Sequence, residues 1–193
     1  VAMIAGNVKR KNYKYKRIEN LALPFKNYNI VCNPTIYKQM AKKTAITFLG
    51  GGNIIRKDVI ISHGMFKESL KWYTDWYIYQ LIGFSQNVAI TRKNFMTVTI
   101  TKDSYSNNSL NWYEQEKIFH NFFELITNDH NKFYSSFKNG AILPFYDIRV
   151  LHYFIFKRKY RKFLTPLLLW RILPYSTFKI FNKFVPDKYK NQL

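Results

Sequence analysis

The sequence predicts an α/β fold over residues 1–110, followed by a helical, basic and aromatic region over residues 111–193. Three observations carry this prediction. Short apolar runs at residues 1–5 and 45–49 end at Gly6 and at Gly50-Gly51-Gly52, as buried strands end at corners. Residues 75–84 place Trp76, Ile78, Tyr79 and Ile82 at helical spacing. From Leu110 onward, Trp112, Ile118, Phe119, Phe122, Phe123 and Ile126 define an amphipathic helix with a wide apolar stripe.

Taken in order, residues 1–5 read as a strand with a turn at Gly6-Asn7. Residues 9–44 are rich in Lys, Asn and Tyr with weak periodicity and are punctuated by Pro24 and Pro34, which predicts a long surface excursion. A brief helix is expected over 56–62, with His63-Gly64 as its stop. The helix over 75–84 has an uncertain end, because Gly83 lowers helix propensity. Residues 87–90 and 95–101 are β-branched and roughly alternating and read as two strands. Residues 104–109 form a polar turn, and its Asn107-Asn108-Ser109 sequon reads as accidental. Further helices are expected over 147–160 and 163–184, broken near Pro166 and Pro174. No internal repeat is evident.

Composition bounds the function classes. Aromatic residues make up 19% and the apolar set 47% of 193 residues, enough for a packed core and against global disorder. The formal charge of +20 points to an anionic partner, nucleic acid or membrane. Lys outnumbers Arg 23 to 8 amid abundant Asn, Ile, Tyr and Phe, so part of that excess reads as the composition of an AT-rich genome. Cys32 is the only cysteine, which excludes an intrachain disulfide, fits a reducing cytoplasmic compartment and reads as an inert apolar residue. Lys9, Arg10 and Lys11 follow the opening apolar residues instead of preceding them, the reverse of a secretory leader. No apolar run reaches the length of about 18 residues that spans a bilayer. The strand-like opening at Val1 reads as a chain entered midway.

The chemistry concentrates between Gly50 and Trp76. Three consecutive glycines permit backbone geometry that other residues resist and close approach of a ligand to the main chain; a strand-to-helix corner uses them equally well. Neither a Walker loop nor a Gly-x-Gly-x-x-Gly fingerprint follows. Asp75 falls in the first turn of its helix, where free N–H groups and the helix dipole favour an ionised carboxylate. A carboxylate set among Trp72, Tyr73 and Trp76 is able to accept a proton from an alcohol once a substrate excludes water. Simple helix capping is the plainer role for the same residue.

Gly-Gly-Asn-x-x-Arg-Lys at Gly51 to Lys57, then Gly64-Met65-Phe66-Lys67-Glu68, then Leu70-Lys71-Trp72-Tyr73-Thr74-Asp75-Trp76 resembles the acceptor-side half of a family 2 glycosyltransferase. The resemblance continues through Gly83 to Ile90 and the Ser104-Tyr105-Ser106 turn, covering residues 1–110. It implies part of an A-type glycosyltransferase (GT-A) fold, a Rossmann-related mixed sheet with flanking helices. It also implies inverting transfer of a sugar from a nucleotide-sugar donor to a glycan or lipid-linked acceptor, with Asp75 as general base. Trp72 and Trp76 would offer flat surface to a sugar ring, although core packing claims one of the two equally well. Gly51, Gly52 and Asn53 would line the acceptor side, with His63 a lesser candidate. Thr74 departs from the acidic residue many members carry there. The family's Asp-x-Asp is absent, so the divalent cation (Mg or Mn) expected for a complete enzyme has no ligands in this chain, and the nucleotide-binding half is expected upstream.

Residues 151–193 contain ten Lys or Arg and one acid, Asp187. The run Lys157 to Lys162 abuts Phe163 to Trp170, a pattern suited to the surface of an anionic inner leaflet through residues 157–185. The alternatives are a packed helical appendage with a solvated basic face, and a membrane-surface protein without catalysis. A basic nucleic-acid-binding module ranks below these, because no nucleic-acid motif is present and the lysines are spread instead of striped.

Overall fold

The structure is a computed structural model that describes residues 1–12, 17–21, 29–44, 50–100, 111–129 and 131–173. Its frame is a five-stranded mixed sheet built on β1 (Met3–Asn12) and β5 (Val88–Ile100), which pair in parallel. On its other side β1 pairs antiparallel with β2 (Arg17–Leu21) and β4 (Asn53–Ile55), and β3 (Ile30–Cys32) lies antiparallel on the far edge of β5. The molecule is therefore α/β with a mixed sheet and flanking helices, as expected.

The side-chain period of two explains the sheet's two faces. Met3 opposes Val88, which opposes Cys32, and Ala5 opposes Ile90, which opposes Ile30. All of these but the partly buried Ile30 are buried, in one cluster with Tyr37 and Ala41 of helix α1 (Pro34–Lys43) and with helix α3 (Thr74–Ser85). The opposite face carries Ile54, Ile4, Ala89 and Val31 in register, and all but Ala89 are exposed.

Several expectations are corrected here. The turn at Gly6-Asn7 is a β-bulge, and β1 runs on to Asn12. The register with β5 shifts at Asn7, where Asn7 Nδ2 donates to Arg92 O at 2.9 Å, and a Cβ on Gly6 would lie 2.8 Å from Lys93 O. The extra residues at this point belong to β5, and the two strands expected at 87–90 and 95–101 are one strand. The surface excursion of 9–44 contains β2, β3 and α1 instead. Pro34 opens α1, where its missing N–H is no loss, and Asn33 caps it by accepting from Ile36 N at 2.9 Å. Only Tyr37 and Ala41 of α1 are buried, too narrow a stripe to register as periodicity. The runs at 45–49 and 104–109 lie outside the described residues.

The expected short helix is α2 (Lys57–Ser62), ending at His63 and at Gly64 with φ +80°. Helix α3 is buried from Trp76 through Phe84. It runs through Gly83 because the Tyr37 ring lies on that spot: a Cβ on Gly83 would sit 2.2 Å from Tyr37 Cζ. The second half supplies α4 (Trp112–Glu124), a π-helical turn (Leu125–Asp129), α5 (Asn131–Asn139), α6 (Ile148–Phe156) and a helix α7 at 166–173. Helix α5 was not expected; its buried Phe133 and Phe137 are the i, i+4 pair that seats it.

The core is continuous across the boundary expected at residue 110. Trp76 packs on Phe122 and Phe137 with ring centroids 5.9 and 6.4 Å apart, and Tyr77 stacks on Phe137 at 5.9 Å. Such aromatic pairs contribute about 0.5–1.5 kcal/mol each beyond area burial. Arg171 of α7 ties the two regions together, donating to Ala41 O at 2.6 Å, Lys42 O at 3.0 Å and Gly140 O at 2.6 Å.

Candidate active site at the head of helix α3

The approach to α3 is a 3-10 turn, Glu68–Tyr73, with Lys71 at φ 48°, ψ −120°. A non-glycine residue held there stores strain of order 1–3 kcal/mol. The Lys71 ammonium is held by an ion pair with Glu114 and lies 5.9 Å from the Trp72 ring centroid. The turn delivers Trp72, Tyr73 and Thr74 in sequence to the first turn of α3. Thr74 Oγ1 is buried there with no hydrogen-bond partner among the described residues.

Asp75 follows, half-buried. Its Oδ1 accepts from Trp76 N at 2.6 Å and so satisfies one of the free N–H groups of the first turn of α3, although the N-cap itself is Tyr73. Burial raises its carboxyl above the ordinary carboxylate value, against the opposing pull of the backbone N–H groups of Trp76 and Asp75. Among the described residues no Lys, Arg or His pairs with it. A desolvated carboxylate without a counter-charge is a stronger proton acceptor than a solvated one.

One helical turn later on the same face, Tyr79 is pushed up to about 12, by burial first and by the Asp75 charge second. The Asn53 side-chain amide hydrogen-bonds the Tyr79 hydroxyl, which acts in the opposite direction. Asn53 and Asp75, both predicted site residues, are thus brought together through Tyr79. In the sequence Tyr79 belongs only to the apolar helical pattern of residues 75–84. Its i+4 spacing from Asp75 was the signal that could have found it.

Gly51 and Gly52 place Asn53. A Cβ on Gly51 would lie 1.6 Å from Met96 Sδ, and one on Gly52 would lie 2.6 Å from Val8 Cγ2. The glycine corner therefore lies against the side chains of β1 and β5, and β4 starts from it with Asn53 opposite Ala5. That close approach accounts for both glycines.

The remaining candidates separate from Asp75. Trp76 is only 6% exposed and its ring is committed to Phe122 and Phe137, so it packs the core; Trp72 stays half-buried beside the site. His63 is buried between α2 and the far end of α3. Its Nδ1 lies 2.8 Å from Val59 O and its Nε2 lies 2.7 Å from Ser85 Oγ. Ser85 is ten residues from Asp75 along α3, about 15 Å at the helical rise, so His63 fastens α2 to α3 away from the site. Among the described residues no three His, Cys, Asp or Glu side chains converge as a metal site would require. No step is therefore assigned to a divalent cation.

The arrangement can accept a proton at Asp75 and offer hydroxyl and amide groups from Thr74, Tyr79 and Asn53 around it. Compared with protein-family models, with curated proteins and with solved structures, the chain gives no match.

Proposed function

We propose that the chain is the acceptor-side part of an inverting, family 2-like glycosyltransferase of GT-A type, and that Asp75 is its general base. The observation that carries this reading is the half-buried Asp75 carboxylate, raised by desolvation and without a cationic partner among the described residues. An acceptor hydroxyl of a glycan or lipid-linked sugar loses its proton to Asp75 as its oxygen attacks the anomeric carbon of a nucleotide-sugar. The bond to the nucleoside diphosphate breaks with inversion. Trp72 faces the sugar ring, and Asn53 and Tyr79 orient the acceptor. The Mg or Mn that would stabilise the departing diphosphate is held outside the described residues.

The amide oxygen of Asn accepts the Trp76 N–H bond as the Asp75 carboxylate does but takes no proton. Asp75→Asn therefore leaves the melting temperature within a few degrees of the parent and lowers transfer about a hundredfold or more, read as nucleoside diphosphate release from a nucleotide-sugar panel. Retention of full transfer by the variant would remove Asp75 from the mechanism.

A second reading, peripheral contact with an anionic bilayer, is favoured by Trp170 and Phe156, which are 76% and 67% exposed in a region that also exposes Lys157, Arg158 and Lys159. No helix among the described residues is long and apolar enough to cross a membrane, so such contact would be at the surface. It is compatible with a lipid-linked acceptor.

A further inference from the structure

With φ 48° and ψ −120°, Lys71 holds the backbone conformation of the first central residue of a type II′ turn. Glycine takes that place by default. A residue with a side chain is strained there, and such strain persists only where the surroundings over-determine the geometry.

Those surroundings come from the second half of the chain. Glu114, in the first turn of α4, pairs with the Lys71 ammonium, and its other oxygen lies 3.7 Å from Lys117 Nζ. Two turns further along α4, Asn121 Nδ2 donates to Ser69 O at 3.0 Å. Leu70 is fully buried. Tyr73 stacks on Phe145 at 5.7 Å with the ring planes 22° apart, and Phe145 meets the edge of Trp112 at 6.4 Å. The residues flanking Lys71 are therefore fixed by packing, and Lys71 itself is fixed by charge.

A glycine would keep this turn without strain and without a partner. Lysine makes the turn conditional on α4. Trp72 follows directly and Asp75 lies in the first turn of α3, so a return of Lys71 to negative φ would displace both, since Ser69 and Leu70 are anchored.

We propose that Lys71 and Glu114 are positioning residues of the Asp75 site: their ion pair latches a strained turn that presents Trp72 and the head of α3. That role rests on the reading of Asp75 as the reacting carboxylate, while the latch itself is measured without any transfer assay.

The decisive comparison is between Lys71→Ala, which keeps the strain and loses the cation, and Lys71→Gly, which loses both. Glu114→Gln removes the latch from the other side. Hydrogen exchange of the whole chain, read by mass spectrometry on peptides covering residues 69–76, reports opening of the turn. Exchange is expected to quicken about tenfold or more in Lys71→Ala and Glu114→Gln and to stay at the parent rate in Lys71→Gly. That is the reverse of the usual order, in which glycine loosens a segment more than alanine. NMR titration of the Asp75 carboxyl supplies the link to the site: its raised value falls toward the ordinary carboxylate range in Lys71→Ala, as the opened turn admits water, and stays raised in Lys71→Gly. Equal exchange in Lys71→Ala and Lys71→Gly, or parent-like exchange in Lys71→Ala and Glu114→Gln, would overturn the latch. An Asp75 titration unmoved in Lys71→Ala would overturn its hold on the site. Because neither readout needs transfer, full activity in Asp75→Asn would strike the catalytic reading alone.

Discussion

Glu124 and Asp75 are held away from the ordinary carboxylate range in opposite directions. Lys159 and Tyr160 both donate to Glu124, with the Lys159 contact at 2.6 Å, and together they hold it down at about 2 from 4.5. A lowered folded value stabilises the native state above the unfolded value and ceases to do so as pH falls through the folded one. Glu124→Gln is therefore destabilising at pH 6, and its deficit relative to the parent disappears between pH 4.5 and about 2, measured by urea unfolding at stepped pH. For Asp75 the sign reverses. Its raised value costs stability as pH rises through it, so Asp75→Asn should lose nothing at pH 7. The place of Asp75 was legible because a carboxylate at the start of a helical pattern favours the free N–H groups of the first turn. Tyr79 was not, because an aromatic residue on a buried helix looks the same whether or not its hydroxyl has work.

Helix α3 shows what an element owes to its neighbours. Its buried Gln80 accepts from Tyr37 Oη at 2.9 Å, and Gly83 admits the same ring. Propensity alone would favour alanine at 83 by about 1 kcal/mol. The 2.2 Å approach of Tyr37 reverses that sign. Gly83→Ala should be net destabilising by about 1–3 kcal/mol in chemical denaturation, and Tyr37→Leu in the same chain should recover part of the loss. The β-bulge in β5 is the same lesson for strands. Alternation in the sequence ends at Ile90 and resumes at Phe95, and only pairing with β1 makes that interval a bulge within one strand.

At the scale of the molecule, one aromatic core joins both regions, and the basic charge lies outside it. Phe123 lies 4.6 Å from Phe163 and 5.0 Å from Tyr160, so the segment bearing the basic run packs inward through its aromatic residues while Lys159 and Lys162 face out. Trp170 is exposed as well, and an exposed tryptophan in a region with exposed cations suits an interfacial anchor. The chain should co-sediment with vesicles containing phosphatidylserine, and Trp170→Ala should reduce the bound fraction several-fold; equal binding to neutral vesicles would exclude the electrostatic part of this contact.

The sequence by itself determined the α/β class, the short helix α2 with its stop at His63-Gly64, the head of α3 and the position of Asp75 in its first turn. These follow from local period, capping residues and glycines, which act within a few residues of one another. Tertiary structure decided that Trp76 belongs to the core, that His63 fastens α2 to α3, that residues 9–44 hold two strands and a helix, and that Asn53 meets Asp75 through Tyr79. Each of these depends on a contact between residues distant in the chain, and a pairing partner leaves no periodic trace in the segment it selects.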